Sequence, residues 1–374
     1  MPRPAPATPA QEPHMNAEDI RTRFEQARAR GLRAREAAES LGLSEGAALA
    51  AHVGGHGHPL QVVPLRPDWL ALLQSLEPCG PLMALTRNES VVHEKTGVYQ
   101  KLSASGPVGL ALGEQIDLRL FFHQWHAGFV VTEAATGSGP DSGSLQFYDR
   151  HGTAVHKIFV REQTDREAWA QAIHRAIEPG QSPRFEAPAP LRARPMQPAV
   201  DAQAFASAWG AMTDTHQFFP LLRQFGLERL HGLRLVEGRY THRVETPAVR
   251  EMLMEAAFEA TPIMVFVSSP GCIQIHTGPV RRVEPLEVHG KTWLNVLDPG
   301  FNLHLREDLI DSAWVVEKPT DDGAVTSLEV FDAQGELMAM FFGARKPGQP
   351  ELAAWRQILS HLQWVEPPHE AAAV

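Results

Sequence analysis

The chain carries the same string of residues twice, so any fold for it must accommodate two copies of one unit. SLQFYDRHGTAVHKIFV (144–160) aligns with SLEVFDAQGELMAMFFG (327–343), and each is followed by a tryptophan-bearing segment, EAWAQAI and AAWRQIL. Further upstream GPLMALT (80–86) lies over TPIMVFV (261–267), VVHEKTG over IQIHTGP, and LGLSE (41–45) over FGLER (225–229). The offset stays near 183 residues, the mark of a duplicated structural unit.

Each copy reads as helices followed by strands. Residues 17–50 are rich in alanine and arginine at helical spacing, with LGLSEGA as a break between helices. From 81 to 160 the pattern shifts to short alternating runs such as VGLALG, DLRLFF and AGFVVTEA, divided by glycine-bearing turns, which predicts an antiparallel sheet. TDREAWAQAIHRAI (164–177) starts on capping residues and continues with apolar helical spacing. The expected fold class is α+β with an internal duplication. Each half has N-terminal helices, a large, mostly antiparallel sheet and a closing helix, with the two sheets facing each other or side by side. The six prolines of residues 178–200 suit neither a regular helix nor a central strand. The expected division is a disordered tail at 1–16, a first half at 17–178, a linker at 179–200, a second half at 201–366 and a tail at 367–374.

Composition removes several classes of function. A formal charge of −10 disfavours a general nucleic-acid binder, which needs a basic surface to release counterions. The longest apolar runs, such as PIMVFV (262–267), are strand-sized and well short of a membrane span. The N-terminus MPRPAPATPAQEPH lacks the apolar core of a secretory signal, so a cytoplasmic location is expected. Cys79 and Cys272 lie far apart, which suggests neither a disulfide framework nor a cysteine zinc site. No GxSxG, HExxH, P-loop or dinucleotide fingerprint is present.

The duplication allows the halves to be compared position by position. At the offset set by LGLSE and FGLER, His216 falls opposite Leu32. Asp214 or Thr215 can cap a helix that begins just before this histidine, and Phe219, Pro220 and Arg223 would share its face. An imidazole between an apolar wall and a basic group suits haem, whose iron takes a neutral imidazole and whose propionates take arginine or lysine. A helix cap or a hydrogen-bonded core histidine is the alternative reading from local sequence.

Four segments carry a family resemblance: ALTRNESVVHEKTG (84–97), LALGEQIDLRLFFHQWHAGF (110–129), SLQFYDRHGTAVHKI (144–158) and AMTDTHQFFPLLRQFGLERL (211–230). In this order, over roughly residues 20–365, the chain resembles the HemS/ChuS family of bacterial haem-utilisation proteins, also called hemin-degrading factors. The resemblance implies haem b (hemin) held between the halves, with His216 as proximal iron ligand and Arg119 on the distal side. It places Arg229, Lys318 and Arg345 near propionates or the haem edge and Phe266 as a ring wall. Met340 stands where several relatives are expected to carry glutamine. His93 matches a segment through which some relatives are expected to hold a second haem. Its repeat partner His276 argues instead for a shared structural role. His123 and His126, read on a strand, fall on opposite faces and make a poor chelating pair.

The resemblance implies a carrier that hands imported haem to a haem oxygenase, working with a haem ABC importer. The alternative is an enzyme that opens the porphyrin oxidatively, with Arg119 ordering distal water and Lys318 near the edge. A third reading is an unrelated α+β protein that binds another anionic ligand.

Overall fold

The computed structural model describes residues 15–134, 142–180, 182–187, 199–288, 290–345 and 348–366. Residues 1–14 and 367–374 of the expected tails, and 181 and 188–198 of the expected linker, lie outside the described residues.

The first half opens with helices α1 (Ala17–Ala29), α2 (Ala34–Glu39) and α3 (Glu45–Ala50), then β1 (Leu60–Pro64) and α4 (Trp69–Gln74). Eight strands follow: β2 (Leu82–Arg87), β3 (Val91–Gly97), β4 (Leu102–Ser105), β5 (Val108–Leu112), β6 (Asp117–Phe121), β7 (Ala127–Glu133), β8 (Ser142–Tyr148) and β9 (Ala154–Val160). Helix α5 (Arg166–Ala176), capped by Asp165, closes the half.

The second half repeats this order element for element. It runs α6 (Ala202–Gly210), α7 (Phe218–Phe225), α8 (Arg229–Leu235), β10 (Thr241–Val244) and α9 (Ala248–Phe258). Strands β11 (Ile263–Ser269), β12 (Cys272–Gly278), β13 (Val283–Val288), β14 (Lys291–Asp298), β15 (Phe301–Arg306), β16 (Ser312–Lys318), β17 (Val325–Phe331) and β18 (Leu337–Gly343) precede α10 (Ala353–Ser360). The repeat reaches the backbone: Gly42, in the turn after α2, and Gly226, the C-cap of α7, are equivalent in LGLSE and FGLER and take φ of +70 and +66 degrees. Side chains with a Cβ rarely adopt that conformation.

The two sheets do not follow the two halves. One nine-stranded sheet has the order β1-β7-β8-β9-β2-β3-β15-β14-β13, the other β10-β16-β17-β18-β11-β12-β6-β5-β4. Each half thus lends a three-strand arm to the other half's sheet, β6 pairing with β12 and β15 with β3. The sheets meet through β2 and β3 against β11 and β12. Helices α9 and α10 pack on one face of the second sheet, with Met252, Leu253, Trp355 and Ile358 against Val265, Leu328 and Phe341. Helices α6–α8 pack on its other face, through Phe205, Trp209, Phe218 and Leu222 against Trp314, Val316 and Phe331.

Candidate functional site

Between α6 and α7 the chain makes a single 3-10 turn, Thr215–Gln217, capped by Asp214. Asp214 Oδ1 accepts from the His216 backbone N–H at 2.7 Å and from ring Nδ1 at 2.6 Å. These bonds from His216 hold the Asp214 carboxyl below the usual carboxylate range, so it stays ionised and acceptor-only. With Nδ1 committed as donor, Nε2 carries the lone pair, on a side chain 93% exposed. A carboxylate on one ring nitrogen fixes the tautomer and the orientation of the ring, the arrangement that aims imidazoles at metals. The next two residues diverge: Phe218 is buried beneath α7, whereas Phe219 is 63% exposed with the Arg223 guanidinium 5.4 Å from its ring.

Strand register gathers the other expected residues. Directly paired residues share a sheet face. Trp314 pairs with Glu329, Glu329 with Met340, Met340 with Phe266 and Phe266 with Ile275. Ile273, two residues before Ile275, pairs with Arg119, and Arg119 with Leu110. By the two-residue period, Lys318 lies on the same side as Trp314. Lys318, Glu329, Met340, Phe266 and Arg119 therefore share one face, the face that carries α6–α8. Beyond those helices it presents half-buried apolar side chains: Met264, Phe266, Ile273, Leu110, Met340 and Phe342. Phe266 and Phe342 meet edge to face at 5.1 Å. Arg119 comes from the first half's exchanged arm, where Asp117 and the Leu118 carbonyl take its Nη1.

The basic residues differ in access. The Arg229 guanidinium grips Glu329 with Nε to Oε2 and Nη2 to Oε1, both 2.7 Å, and Nη2 lies 3.0 Å from Met340 Sδ. Lys318 Nζ donates to the same Glu329 Oε1 at 2.9 Å and is buried. Both cations sit against the Phe218 ring, at 4.9 Å for Arg229 and 4.7 Å for Lys318. Lys318 is thus packed inside, while Arg229 and Arg345 are half-buried. Arg345 lies 3.5 Å from Asp322, and its charge helps lower the Asp214 pKa. The 320–323 turn is tied to the His216 segment by Asp321 N–H donating to the Thr213 carbonyl at 2.9 Å.

Sequence reasoning missed Glu329, although the repeat held a signal: SLEVF carries glutamate where SLQFY carries Gln146. It also read Asp214 as a helix cap without its bond to the imidazole.

His93 is 0% exposed between the sheets, accepting from Gln274 Nε2 at 2.8 Å with its ring 5.1 Å from Phe301. A second porphyrin reaches it only if the sheets part. Its repeat partner His276 is buried in the same layer, stacked on Phe301 at 3.7 Å. The strand reading of His123 and His126 is corrected. His123 lies in the 3-10 turn Phe122–Gln124, and His126 Nε2 is 2.9 Å from the Arg184 carbonyl, so no strand alternation relates them.

With this geometry in place, comparison with known proteins gives consistent matches. A family model described as the haemin-degrading HemS/ChuX domain matches residues 42–176 and 226–362, one copy in each half. The hemin transport protein HmuS of Yersinia pestis is 38% identical over 333 residues, covering 89% of this chain and 93% of that protein. The crystal structure of holo-PhuS, a heme-binding protein from Pseudomonas aeruginosa, superposes with a TM-score of 0.87 at 40% identity, covering 94% of this chain and all of that one. The heme-degrading enzyme ChuS of Escherichia coli O157:H7 gives 0.84 at 34% identity, covering 93% of this chain and all of that one. The chain, with two copies of the domain in one interleaved fold, belongs to the HemS/ChuS family.

Proposed function

We propose that this protein binds one haem in iron acquisition, with His216 Nε2 as the iron ligand, and that it carries haem b through the cytoplasm. The observation behind this reading is the turn itself: an exposed imidazole whose Nδ1 is held by an ionised aspartate, leaving Nε2 free. The half-buried apolar floor around Phe266 and Phe342 suits a porphyrin face. Phe219, exposed three residues after His216, adds aromatic surface, and Arg229 and Arg345 supply charge for propionates. Arg119, which the strand exchange puts on the same sheet face as Phe266, is the group we assign to the distal side. The relatives described as transport and heme-binding proteins support carriage. In that role the partners are a haem oxygenase that receives the cargo and a haem importer that supplies it. No described helix is long and apolar enough to cross a membrane.

The test is a hemin titration of wild type and His216→Ala, followed by the Soret band. One saturable site whose ligand-field bands and affinity change strongly in the variant supports the reading. Unchanged spectra move the iron elsewhere, and absence of saturable binding in wild type rejects it. The relative described as a heme-degrading enzyme supports a second reading, in which the bound haem is opened oxidatively. Haem would supply the redox chemistry, and this chain would hold the ring and keep Arg119 on the distal side to order water. Single turnover with a reductant separates the two readings: tetrapyrrole product that persists with catalase present marks a true oxygenase, and product only without catalase marks coupled oxidation by free peroxide.

A further inference from the structure

We propose that Glu329 is a positioning residue of the haem site: by tying Arg229 and Lys318 together beneath Phe218, it seats the turn that presents His216. This rests on the reading that His216 ligates iron. The Glu329 carboxylate is fully buried and accepts four bonds, two from Arg229 at 2.7 Å, one from Lys318 at 2.9 Å and one from Ser327 Oγ at 3.0 Å. It thereby joins β16, β17 and the first residue of α8. Arg229 and Lys318 are the two cations packed on the Phe218 ring. Phe218 is the first residue of α7 and the residue directly after the His216 turn. The chain of contact from Glu329 to the iron ligand therefore passes through one ring.

Charge explains why Glu329 is needed there. Two buried or half-buried cations face one carboxylate, an excess of one positive charge. With the carboxylate in place the guanidinium and the ammonium are bridged. Without it they repel at short range in a poorly solvated space. Arg229, the more accessible of the two, then swings outward, and Phe218 loses the cation above α8 and its seat on the sheet. The other half offers a contrast. Its equivalent positions hold Gln146 for Glu329, Glu45 for Arg229 and Lys157 for Met340, and there Lys157 donates to Glu45 at 2.5 Å. That half has Leu32 where His216 stands. The two-cation, one-anion cluster thus occurs in the half that carries the exposed imidazole.

The experiment compares haem with iron-free protoporphyrin IX, since positioning of His216 matters only to the iron. Wild type, His216→Ala, Glu329→Gln, Glu329→Asp and Phe218→Leu are titrated with both, and ligand-field bands are recorded at saturating haem. Phe218→Leu leaves the ion cluster intact and introduces no unpaired buried charge, so it carries the test should Glu329→Gln fail to fold. Expected is a loss of haem affinity of about tenfold or more in both variants; protoporphyrin IX affinity stays within about threefold in Phe218→Leu, where Arg229 keeps its place, and falls clearly less than haem affinity in Glu329→Gln, where Arg229 moves. Their ligand-field bands move toward those of His216→Ala, and Glu329→Asp restores part of the wild-type spectrum. Equal losses for both porphyrins overturn the proposal and leave Glu329 a general structural residue. Unchanged bands in both variants, with His216→Ala altered, overturn it while the His216 reading stands. An unaltered His216→Ala spectrum removes the His216 reading itself, and the proposal with it.

Discussion

Acidification acts on the layer between the sheets, where three imidazoles are held as hydrogen-bond acceptors. Tyr99 O–H donates to His156 Nε2 at 2.7 Å, and His156 Nδ1 in turn reaches Thr86 Oγ1 at 2.9 Å. The Thr86 hydroxyl donates to Gln274 Oε1 at 2.9 Å, and Gln274 Nε2 donates to His93 Nδ1 at 2.8 Å. Lys95 Nζ donates to His276 Nδ1 at 2.8 Å. Each ring therefore offers a lone pair to a donor, and a second ring proton would be aimed at that donor. Burial is the main cause that pushes His156 and His276 down to about 3 and His93 well below its ordinary value, with the Lys95 charge adding to the fall in His93 and His276. In the unfolded chain these groups titrate at about 6.5. The unfolded state binds more protons below that pH, so stability is complete above pH 6.5 and is lost as pH falls toward the folded values. Linkage gives about 2 kcal/mol lost per ring at pH 5, or about 6 kcal/mol for three, against a typical domain stability of about 5–15 kcal/mol. Urea unfolding followed by far-UV circular dichroism at pH 7.5 and pH 5 measures this difference, and His156→Gln should recover about a third of it. A loss below about 2 kcal/mol would mean that fewer than one of these protons is linked to unfolding, which refutes the neutral-acceptor arrangement.

Three further outcomes follow from the geometry. Asp214→Asn keeps the size of the cap but removes the charge on Nδ1, and hemin titration should show affinity about tenfold weaker or more with little change in melting temperature. Glu45→Ala leaves Lys157 buried without its carboxylate, which should cost about 3–5 kcal/mol in chemical denaturation, whereas Glu45→Ala with Lys157→Met should recover most of it. Gly226→Ala places a Cβ on a residue with φ of +66 degrees at the end of α7, and calorimetry should show a loss of about 1 kcal/mol.

Much of the fold was legible because side-chain periodicity and turn residues are local properties. The strand alternation of DLRLF and SLQFY, the Asp165 cap before AWAQAI and the glycines of LGLSE and FGLER act within a few residues of themselves. Their recurrence at one offset shows the duplication without any structure. The same comparison sets His216 opposite Leu32, one of several positions where the halves differ in chemical character. Only the tertiary structure decided where those local pieces go. Nothing in VGLALG or DLRLFF states that β4–β6 leave their own half and pair with β12, since backbone hydrogen bonding is indifferent to which strand supplies the partner. That exchange carries Arg119 onto the face floored by Phe266, and it closes the polar layer that buries His93. Glu329 follows the same rule. Its neighbours in sequence mark a buried strand, and its partners Arg229 and Lys318 stand 100 and 11 residues away, so its charge acquires meaning only when the strands and helix α8 are packed.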